Sequence, residues 1–321
     1  MLTIGRHVSK LSGYAPALPT PFDAQGDIDA IAFERLCDRQ VAEGATALVV
    51  GGTTGEAPTL SPAEHGALIR IAVAVARGRV PVISGGGSNC TAHAIELSRD
   101  AEAAGADALL SIVPYYNKPT QAGLEAHFRA IAGGIGLPVI LYDVPSRTVT
   151  GLADDTVARL AEVPRIIGLK DATGDITRLA RLRPRVGASF RLLSGDDATA
   201  PAFLAQGGDG CISVTSNAAP GLCRSMYLQR REGHTARARR LGALHAQLTA
   251  ALFRESNPAP LKYALSLLGL MSAKVRLPLV EPTEMTRREI ATALTNLEDG
   301  CPDYVIADAH WLTEKVGAVA R

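Results

Sequence analysis

Residues 105–145 read GADALLSIVPYYNKPTQAGLEAHFRAIAGGIGLPVILYDVP. Two short apolar runs, Ala108–Ile112 and Pro138–Tyr142, begin 30 residues apart in this stretch. Gly105-Ala106-Asp107 leads into the first and Gly136-Leu137-Pro138 opens the second. Glycine ends helices in the left-handed conformation, and proline is tolerated at the first residue of a strand. Both runs are continuously apolar rather than alternating, the pattern of parallel strands buried on both faces. Parallel neighbours need a crossover connection, and about 30 residues is the size of one βαβ unit.

The same pitch extends in both directions. Strand-length runs at Ala15–Leu18, Ala47–Val50, Pro81–Ser84, Ile166–Lys170, Arg191–Ser194 and Gly210–Val214 complete a set of eight, with successive starts 32, 34, 27, 30, 28, 25 and 19 residues apart. Gly44-Ala45-Thr46-Ala47 and Gly207-Gly208-Asp209-Gly210 repeat the glycine punctuation. Amphipathic windows lie between the runs, among them Asp29–Glu43, Ser61–Ala76, Thr91–Ala104 and Asp154–Ala161. Ser61-Pro62-Ala63-Glu64 has the residues of a capping box with proline at the first helical position.

Eight such units predict an α/β protein of the (β/α)8 barrel class. The alternative, a doubly wound open sheet, calls for G-x-G-x-x-G after the first strand, and none follows Leu18. Beyond about Leu222 the pattern turns helical, with Tyr227–Phe253, Ala259–Leu268 and Thr286–Leu297 read as helices. The expected division is a barrel over 13–232, a helical region over 233–300 and a polar tail over 301–321 that includes Trp311.

Composition removes several classes of function. Lys plus Arg number 33 against 32 for Asp plus Glu, a formal charge of +1, so no single-sign field points to nucleic acid or an anionic membrane. Seven Tyr, 6 Phe and 1 Trp in 321 residues are too few for stacking platforms. The 47% hydrophobic fraction suits a large core and excludes a disordered chain. The longest stretch free of Asp, Glu, Lys and Arg, Val80–Ile95, has 16 residues and is interrupted by Gly85-Gly86-Gly87-Ser88-Asn89, whereas a membrane helix needs about 20. Arg6 and Lys10 sit in an N-terminus without the apolar core of a secretory signal. Five widely spaced cysteines with no C-x-x-C fit a reducing compartment. A soluble cytoplasmic protein is expected.

In barrel enzymes the site lies at the C-terminal ends of the strands, and five runs end in polar residues there. They are Gly51-Gly52-Thr53-Thr54-Gly55-Glu56, Val113-Pro114-Tyr115-Tyr116-Asn117-Lys118-Pro119, Tyr142-Asp143-Val144-Pro145-Ser146-Arg147-Thr148, Lys170 and Ser194-Gly195-Asp196-Asp197. A lysine at the mouth of a barrel, partly out of water, offers an amine that attacks a carbonyl to form a Schiff base. The competing reading of Lys170 is an ordinary salt bridge to Asp171 or another carboxylate. Thr53 and Tyr142, on strands expected to be neighbours, and Tyr116 supply hydroxyls able to relay protons. Arg147 suits a substrate carboxylate or, equally, a loop salt bridge. Gly85-Gly86-Gly87-Ser88 reads as a tight βα turn rather than a phosphate loop. The seven histidines show no metal-ligand spacing, so no metal is expected.

Gly52-Thr53-Thr54-Gly55-Glu56, Tyr115-Tyr116-Asn117-Lys118-Pro119, Tyr142 to Thr148 and Gly168-Leu169-Lys170-Asp171-Ala172-Thr173-Gly174 resemble the signatures of the dihydrodipicolinate synthase / N-acetylneuraminate lyase family. Ser194–Asp197 and Ile212–Asn217 are similar too, and the likeness runs from about Gly13 to Leu297. It implies a (β/α)8 lyase acting on pyruvate through a Schiff base. Lys170 would carry the imine, so that no separate cofactor is needed, and Tyr142 would shuttle protons. Thr53 would link Tyr142 to Tyr116, the latter supplied by the neighbouring subunit of a tight dimer within a homotetramer. Thr54, Gly195 and the backbone around Ile212 would bind substrate, the pyruvate carboxylate included.

Arg147, in Ser146-Arg147-Thr148, is similar to the arginine that holds the carboxylate of aspartate semialdehyde in the synthase branch. The implied reaction is condensation of pyruvate with that aldehyde to 4-hydroxy-tetrahydrodipicolinate, leading to diaminopimelate and lysine. The alternative is another pyruvate-dependent member, a keto-deoxy-sugar aldolase or a hydratase-aldolase. Asp143 stands where the family usually has Asn and Asp171 where Glu is common, and Asp143 is expected to add a charge beside the site. His65, Asn89, His93 and Tyr115 correspond to a candidate allosteric lysine site, with His93 in the place of a Glu. Weak or absent inhibition by lysine is expected, because a carboxylate partner for the ammonium is missing.

Overall fold

The computed structural model describes residues 11–300; the polar tail over 301–321 lies outside them. Eight strands, β1 (Gly13–Pro16), β2 (Leu48–Val50), β3 (Val82–Gly85), β4 (Ala108–Ile112), β5 (Val139–Asp143), β6 (Ile166–Asp171), β7 (Arg191–Ser194) and β8 (Gly210–Ser213), form one sheet. All pair in parallel, in the order β1-β8-β7-β6-β5-β4-β3-β2. A parallel bridge between Ala17 and Val49, with the Leu18 N–H donating to the Val49 carbonyl at 2.9 Å, joins the two ends. The fold is a (β/α)8 barrel, and the doubly wound alternative falls away.

The helices are α1 (Ala30–Ala42), α2 (Pro62–Ala76), α3 (Thr91–Ala103), α4 (Gln121–Gly134), α5 (Pro145–Thr148), α6 (Asp154–Ala161), α7 (Arg178–Leu182), α8 (Ala200–Ala205), α9 (Thr215–Ala218), α10 (Pro220–Arg231), α11 (Thr235–Leu252), α12 (Ala259–Leu267) and α13 (Glu284–Gly300). The capping box at Ser61 forms, with the Ser61 hydroxyl accepting from the Glu64 N–H and the Glu64 carboxylate accepting from the Ser61 N–H. Gly44, Gly105 and Gly207 all have left-handed φ, at +86°, +93° and +94°, as their place between helix and strand requires.

One expectation is corrected. Tyr227–Phe253 is not one helix: α10 ends at Arg231 and α11 begins at Thr235. Gly233, at φ +81°, turns the chain between them, and a left-handed residue cannot continue a right-handed helix.

Two apolar layers enclose the sheet. Between strands and helices lie Phe33, Leu68, Phe128, Val139, Leu169 and Leu192, each large side chain contributing about 1.5–3 kcal/mol by leaving water. Inside the barrel, Ala15, Val49, Leu110, Ile140, Tyr142 and Ile212 pack together. The helices that follow the barrel cover its β1 and β8 side through Leu248, Leu261, Leu265 and Leu294.

β6 departs from regular register. Val139 pairs with Ile166, but Ile140 pairs with Gly168, so Ile167 is an extra residue. The insertion reverses the facing of everything beyond it. Ile166 and Leu169, three apart, both join the outer layer, and Lys170 turns into the barrel beside its cross-strand partner Tyr142.

His127 on α4 is buried, with Nδ1 2.9 Å from the Thr91 hydroxyl, and burial pulls its pKa from 6.5 to about 4. His65 on α2 is also buried and also held down by burial, against hydrogen bonds to the Gly85 and Gly51 backbone. Unfolding exposes both rings to water, so below about pH 6.5 the unfolded chain binds protons that the native state refuses. Stability is therefore intact above pH 6.5 and declines as pH falls towards 4. For His127 the full loss between pH 6.5 and about 4 is roughly 3 kcal/mol. Urea denaturation at pH 7, 5.5 and 4.5 should show this slope, and His127→Gln should flatten it. Equal slopes in the two proteins would reject the assignment.

Candidate active site

Lys170 is only 6% exposed. Its Nζ lies 4.1 Å from the centroid of the Tyr142 ring, and no carboxylate among the described residues pairs with it. Gly195 makes room for it: a Cβ at that position would stand 2.8 Å from Lys170 Cε and 2.9 Å from Cγ. The Gly195 N–H donates to the Asp171 carbonyl at 2.6 Å, tying the end of β7 to β6. The salt-bridge reading of Lys170 is thereby removed, because Asp171 faces the other way. Asp171 Oδ1 accepts from the Thr173 N–H at 2.9 Å and hydroxyl at 2.7 Å, and Oδ2 lies 3.4 Å from Arg178 Nη1.

Asp143 follows the same alternation. It is fully buried outside the barrel wall, where Oδ2 accepts from Arg178 Nη1 at 2.8 Å and from the Leu152 N–H at 3.1 Å. Burial pushes its carboxyl up, and the Arg178 guanidinium pulls against that. Arg178 also donates to Asp154 at 3.0 Å and to the Leu152 carbonyl at 2.6 Å. The charge expected beside the site from Asp143 is thus answered by Arg178, on the far side of the strand from Lys170.

The loop after β2 carries Thr53 and Thr54. Gly51, at φ +62°, leaves the space that the His65 ring occupies. Glu56, at φ +56°, sends its side chain into the protein, where Oε1 accepts from Lys262 Nζ at 2.6 Å and Oε2 from the Arg276 N–H at 2.9 Å. The Glu56 and Lys262 side chains are both fully buried. Burial lowers the Lys262 pKa to about 8, with Glu56 opposing the fall, and the Phe22 ring lies 4.1 Å from its Nζ. Asn257 completes the wall: its Nδ2 donates to the Thr54 hydroxyl at 3.0 Å, and its carbonyl accepts from Arg147 at 3.2 Å. Sequence reading passed over Arg178, Asn257 and Lys262. Lys262 left a signal, as the one charge in the apolar window Ala259–Leu268.

A cavity of about 450 Å³ opens at this end of the barrel, and Thr53, His65, His93, Tyr115, Tyr142 and Arg147 line it. β2 and β5 are not neighbours, since β3 and β4 lie between them, so Thr53 and Tyr142 face one cavity from separate strands. Thr54 is buried against Asn257, and Ile212 lies in the barrel interior. Asn89 does not line the cavity; its carbonyl accepts from Asn117 Nδ2 at 2.8 Å. Tyr116 is 87% exposed, at φ +73°, and also does not line it. Gly85, Gly86 and Gly87 permit close packing, for a Cβ at each would strike Gly51, Leu109 or Ile112. No three His, Cys, Asp or Glu side chains among the described residues are grouped to hold a metal ion. Among those residues no helix is long and apolar enough to cross a membrane.

A barrel with a lysine that has no carboxylate partner among the described residues, side by side with a tyrosine within its mouth, is the framework of a carbonyl-attacking lyase. The chain belongs to the dihydrodipicolinate synthetase family, whose model matches residues 10–297. It is 52% identical over 282 residues to the 4-hydroxy-tetrahydrodipicolinate synthase of Rhodospirillum centenum, covering 88% of this chain and 97% of that one. It is 51% identical to the enzyme of the same name from Acidiphilium cryptum, covering 89% and 98%. Among solved structures it resembles the 4-hydroxy-tetrahydrodipicolinate synthase of Methylacidiphilum fumariolicum, with TM-score 0.89, 37% identity and 97% and 99% of the chains covered. It also resembles a chloride-inhibited dihydrodipicolinate synthase from Acinetobacter baumannii complexed with pyruvate, with TM-score 0.86, 42% identity and 90% and 98% covered.

Removing one partner of a fully buried ion pair strands the other charge. Lys262→Met should therefore destabilise the protein by about 3–5 kcal/mol, and adding Glu56→Gln should restore most of that. Urea denaturation of the single and double variants measures it; a double variant no more stable than the single one would contradict the pairing.

Proposed function

We propose that the protein is a Schiff-base lyase that condenses pyruvate with L-aspartate 4-semialdehyde to give 4-hydroxy-tetrahydrodipicolinate, on the route to diaminopimelate and lysine. The observation that carries this reading is Lys170: buried, free of any carboxylate partner among the described residues, and stacked on Tyr142 in a chain about half identical to synthases of that name.

Lys170 Nζ attacks the keto carbon of pyruvate, and loss of water leaves an imine. The iminium is an electron sink, so the pyruvate methyl gives up a proton and becomes an enamine carbon that adds to the aldehyde. The amino group of the second substrate then displaces Lys170 and closes the ring. Tyr142, beside the amine, moves protons in these steps, with Thr53 behind it as relay. Tyr116, exposed in a single chain, is free to complete the site of a neighbouring subunit in a dimer, and two dimers form the tetramer. The Thr54 hydroxyl, held by Asn257, and the backbone around Ile212, with the space kept by Gly195, hold the pyruvate carboxylate. Arg147 takes the carboxylate of the aldehyde. His65, His93 and Tyr115 line the cavity at the mouth of the barrel, where no acidic side chain is found among the described lining residues, which supports weak inhibition by lysine.

Borohydride reduction in the presence of pyruvate should leave a stable adduct on the peptide that contains Lys170, and folded protein that forms none would remove the mechanism. Arg147→Ala should lower kcat/KM for aspartate semialdehyde by about 100-fold or more while pyruvate trapping persists. Wild-type turnover of a neutral sugar-derived aldehyde in preference to aspartate semialdehyde would transfer the protein to the aldolase branch of the family.

A further inference from the structure

Arg178 opens α7 on the helix side of the barrel wall, is buried, and does not line the catalytic cavity. Three of its nitrogens are engaged. Nη1 lies 2.8 Å from Asp143 Oδ2 and 3.4 Å from Asp171 Oδ2, Nε donates to Asp154 Oδ1 at 3.0 Å, and Nη2 donates to the Leu152 carbonyl at 2.6 Å. Asp143 ends β5, Asp171 ends β6 and Asp154 begins α6. One planar group therefore ties two adjacent strands to the segment that follows the first of them. A lysine ammonium, a single point of charge, cannot serve acceptors arranged around such a fork.

Stability alone does not account for this cluster. Asp143 is fully buried, its Oδ1 has no hydrogen-bond partner among the described residues, and burial pushes its carboxyl up. Three carboxylates converge on one guanidinium, and exposed Arg181 relieves only Asp154 among them, at 2.7 Å. Apolar residues of similar volume often hold a fold as well as buried ion pairs do. What the cluster supplies is a fixed geometry.

That geometry bears on the reacting groups. Asp143 and Asp171 are cross-strand partners, and the pair just before them is Tyr142 and Lys170. Alternation puts one pair outside the wall and the other inside it. Because a single nitrogen holds both outer carboxylates, it fixes how the ends of β5 and β6 stand to each other, and the inner pair inherits that spacing. Two backbone bonds lie at the same level, from the Ala172 N–H to the Asp143 carbonyl at 2.9 Å and from the Gly195 N–H to the Asp171 carbonyl at 2.6 Å. A brace on the inner face would fill the space that substrates need. We propose that Arg178 is a positioning residue for the condensation, setting the approach of Lys170 Nζ to Tyr142, 4.1 Å from the ring centroid, from the far side of the wall. The inference rests on the Schiff-base reading of the site. A displacement of about 1 Å at reacting groups can cost about 100-fold in rate. The loss belongs in turnover rather than in binding, since Thr54 and Arg147 are held by Asn257 instead.

Two variants of the full chain test it. Arg178→Lys keeps the charge and loses the fork. Arg178→Gln combined with Asp143→Asn removes the closest ion pair as a unit, while Thr173 still holds Asp171 and Arg181 still holds Asp154. In both, hydrogen exchange read by mass spectrometry should quicken at least tenfold in peptides spanning Ala172 and Gly195 and stay unchanged in those from β2 and β3. Turnover of pyruvate with aspartate semialdehyde should fall tenfold or more in kcat, while the pyruvate concentration for half-maximal borohydride trapping on Lys170 stays within about threefold. A merely structural role gives a different pattern, with exchange rising throughout the barrel and kcat per folded molecule unchanged. The proposal is overturned by that pattern, by unaltered exchange at Ala172 and Gly195, or by local loosening that leaves kcat intact. An unaltered protein that traps no pyruvate would instead remove the lyase reading, and the catalytic half of the proposal with it; the exchange data would still decide whether Arg178 fastens the two strand ends.

Discussion

One extra residue in β6 decides which side chains meet. In a regular strand Ile166, Gly168 and Lys170 would share a face, and Lys170 would point at the helices with Ile166. Ile167 shifts the register, so Leu169 takes the outer position and Lys170 the inner one. Because β5 is regular over the paired residues that follow, Tyr142 and Lys170 face inward together while Asp143 and Asp171 face outward together. The amine and the carboxylates of Asp143 and Asp171, each one position beyond Tyr142 and Lys170, are thereby parted by the thickness of the sheet. Arg178 answers both carboxylates on the far side, so neither is available to hold Lys170 as an ammonium.

A second constraint comes from outside the barrel. The Gly51–Glu56 loop is too short and too rich in glycine to hold a shape alone, yet it carries both threonines of the site. Its geometry is set from the helical region, by Lys262 on Glu56, Arg276 on the same carboxylate, and Asn257 on Thr54. A buried ion pair contributes little net stability, since desolvation offsets most of the attraction. What it supplies is direction: Glu56 has one place to go, and its left-handed backbone is held there. The helices after the barrel are therefore part of the site's wall, and Arg147 leans on the same Asn257.

How far the sequence could be read follows from the range of each signal. Strands announced themselves through local composition, and β4 and β7 match their expected limits residue for residue. Polar residues at strand ends pointed to the mouth of the barrel, because the fold dictates where such ends gather. Gly233 offered a local sign of the break between α10 and α11, and it was outweighed by the helical pattern on both sides. The bulge at Ile167 had no local sign, since continuous apolar runs look the same in either register. Arg178 was hidden for a related reason: its partners are 24 and 35 positions away as well as 7, and pairing of that kind belongs to the closed barrel rather than to any window of the chain.

The turn after β8 leaves from the barrel interior, where Ile212 packs, and Ser216 lies buried within it. Asp197, two residues beyond Gly195, pins the turn by accepting from the Ser213 hydroxyl at 2.5 Å and from the Val214 N–H at 2.7 Å, and Ser213 Oγ in turn accepts from the Ser216 N–H at 2.9 Å. Burial works against the charge on Asp197, yet His245 and these hydrogen bonds together hold its carboxyl below the usual range. A fully buried carboxylate satisfied on both oxygens favours a single arrangement, so the backbone that follows Ile212 leaves the barrel through a turn that Asp197 holds in one place.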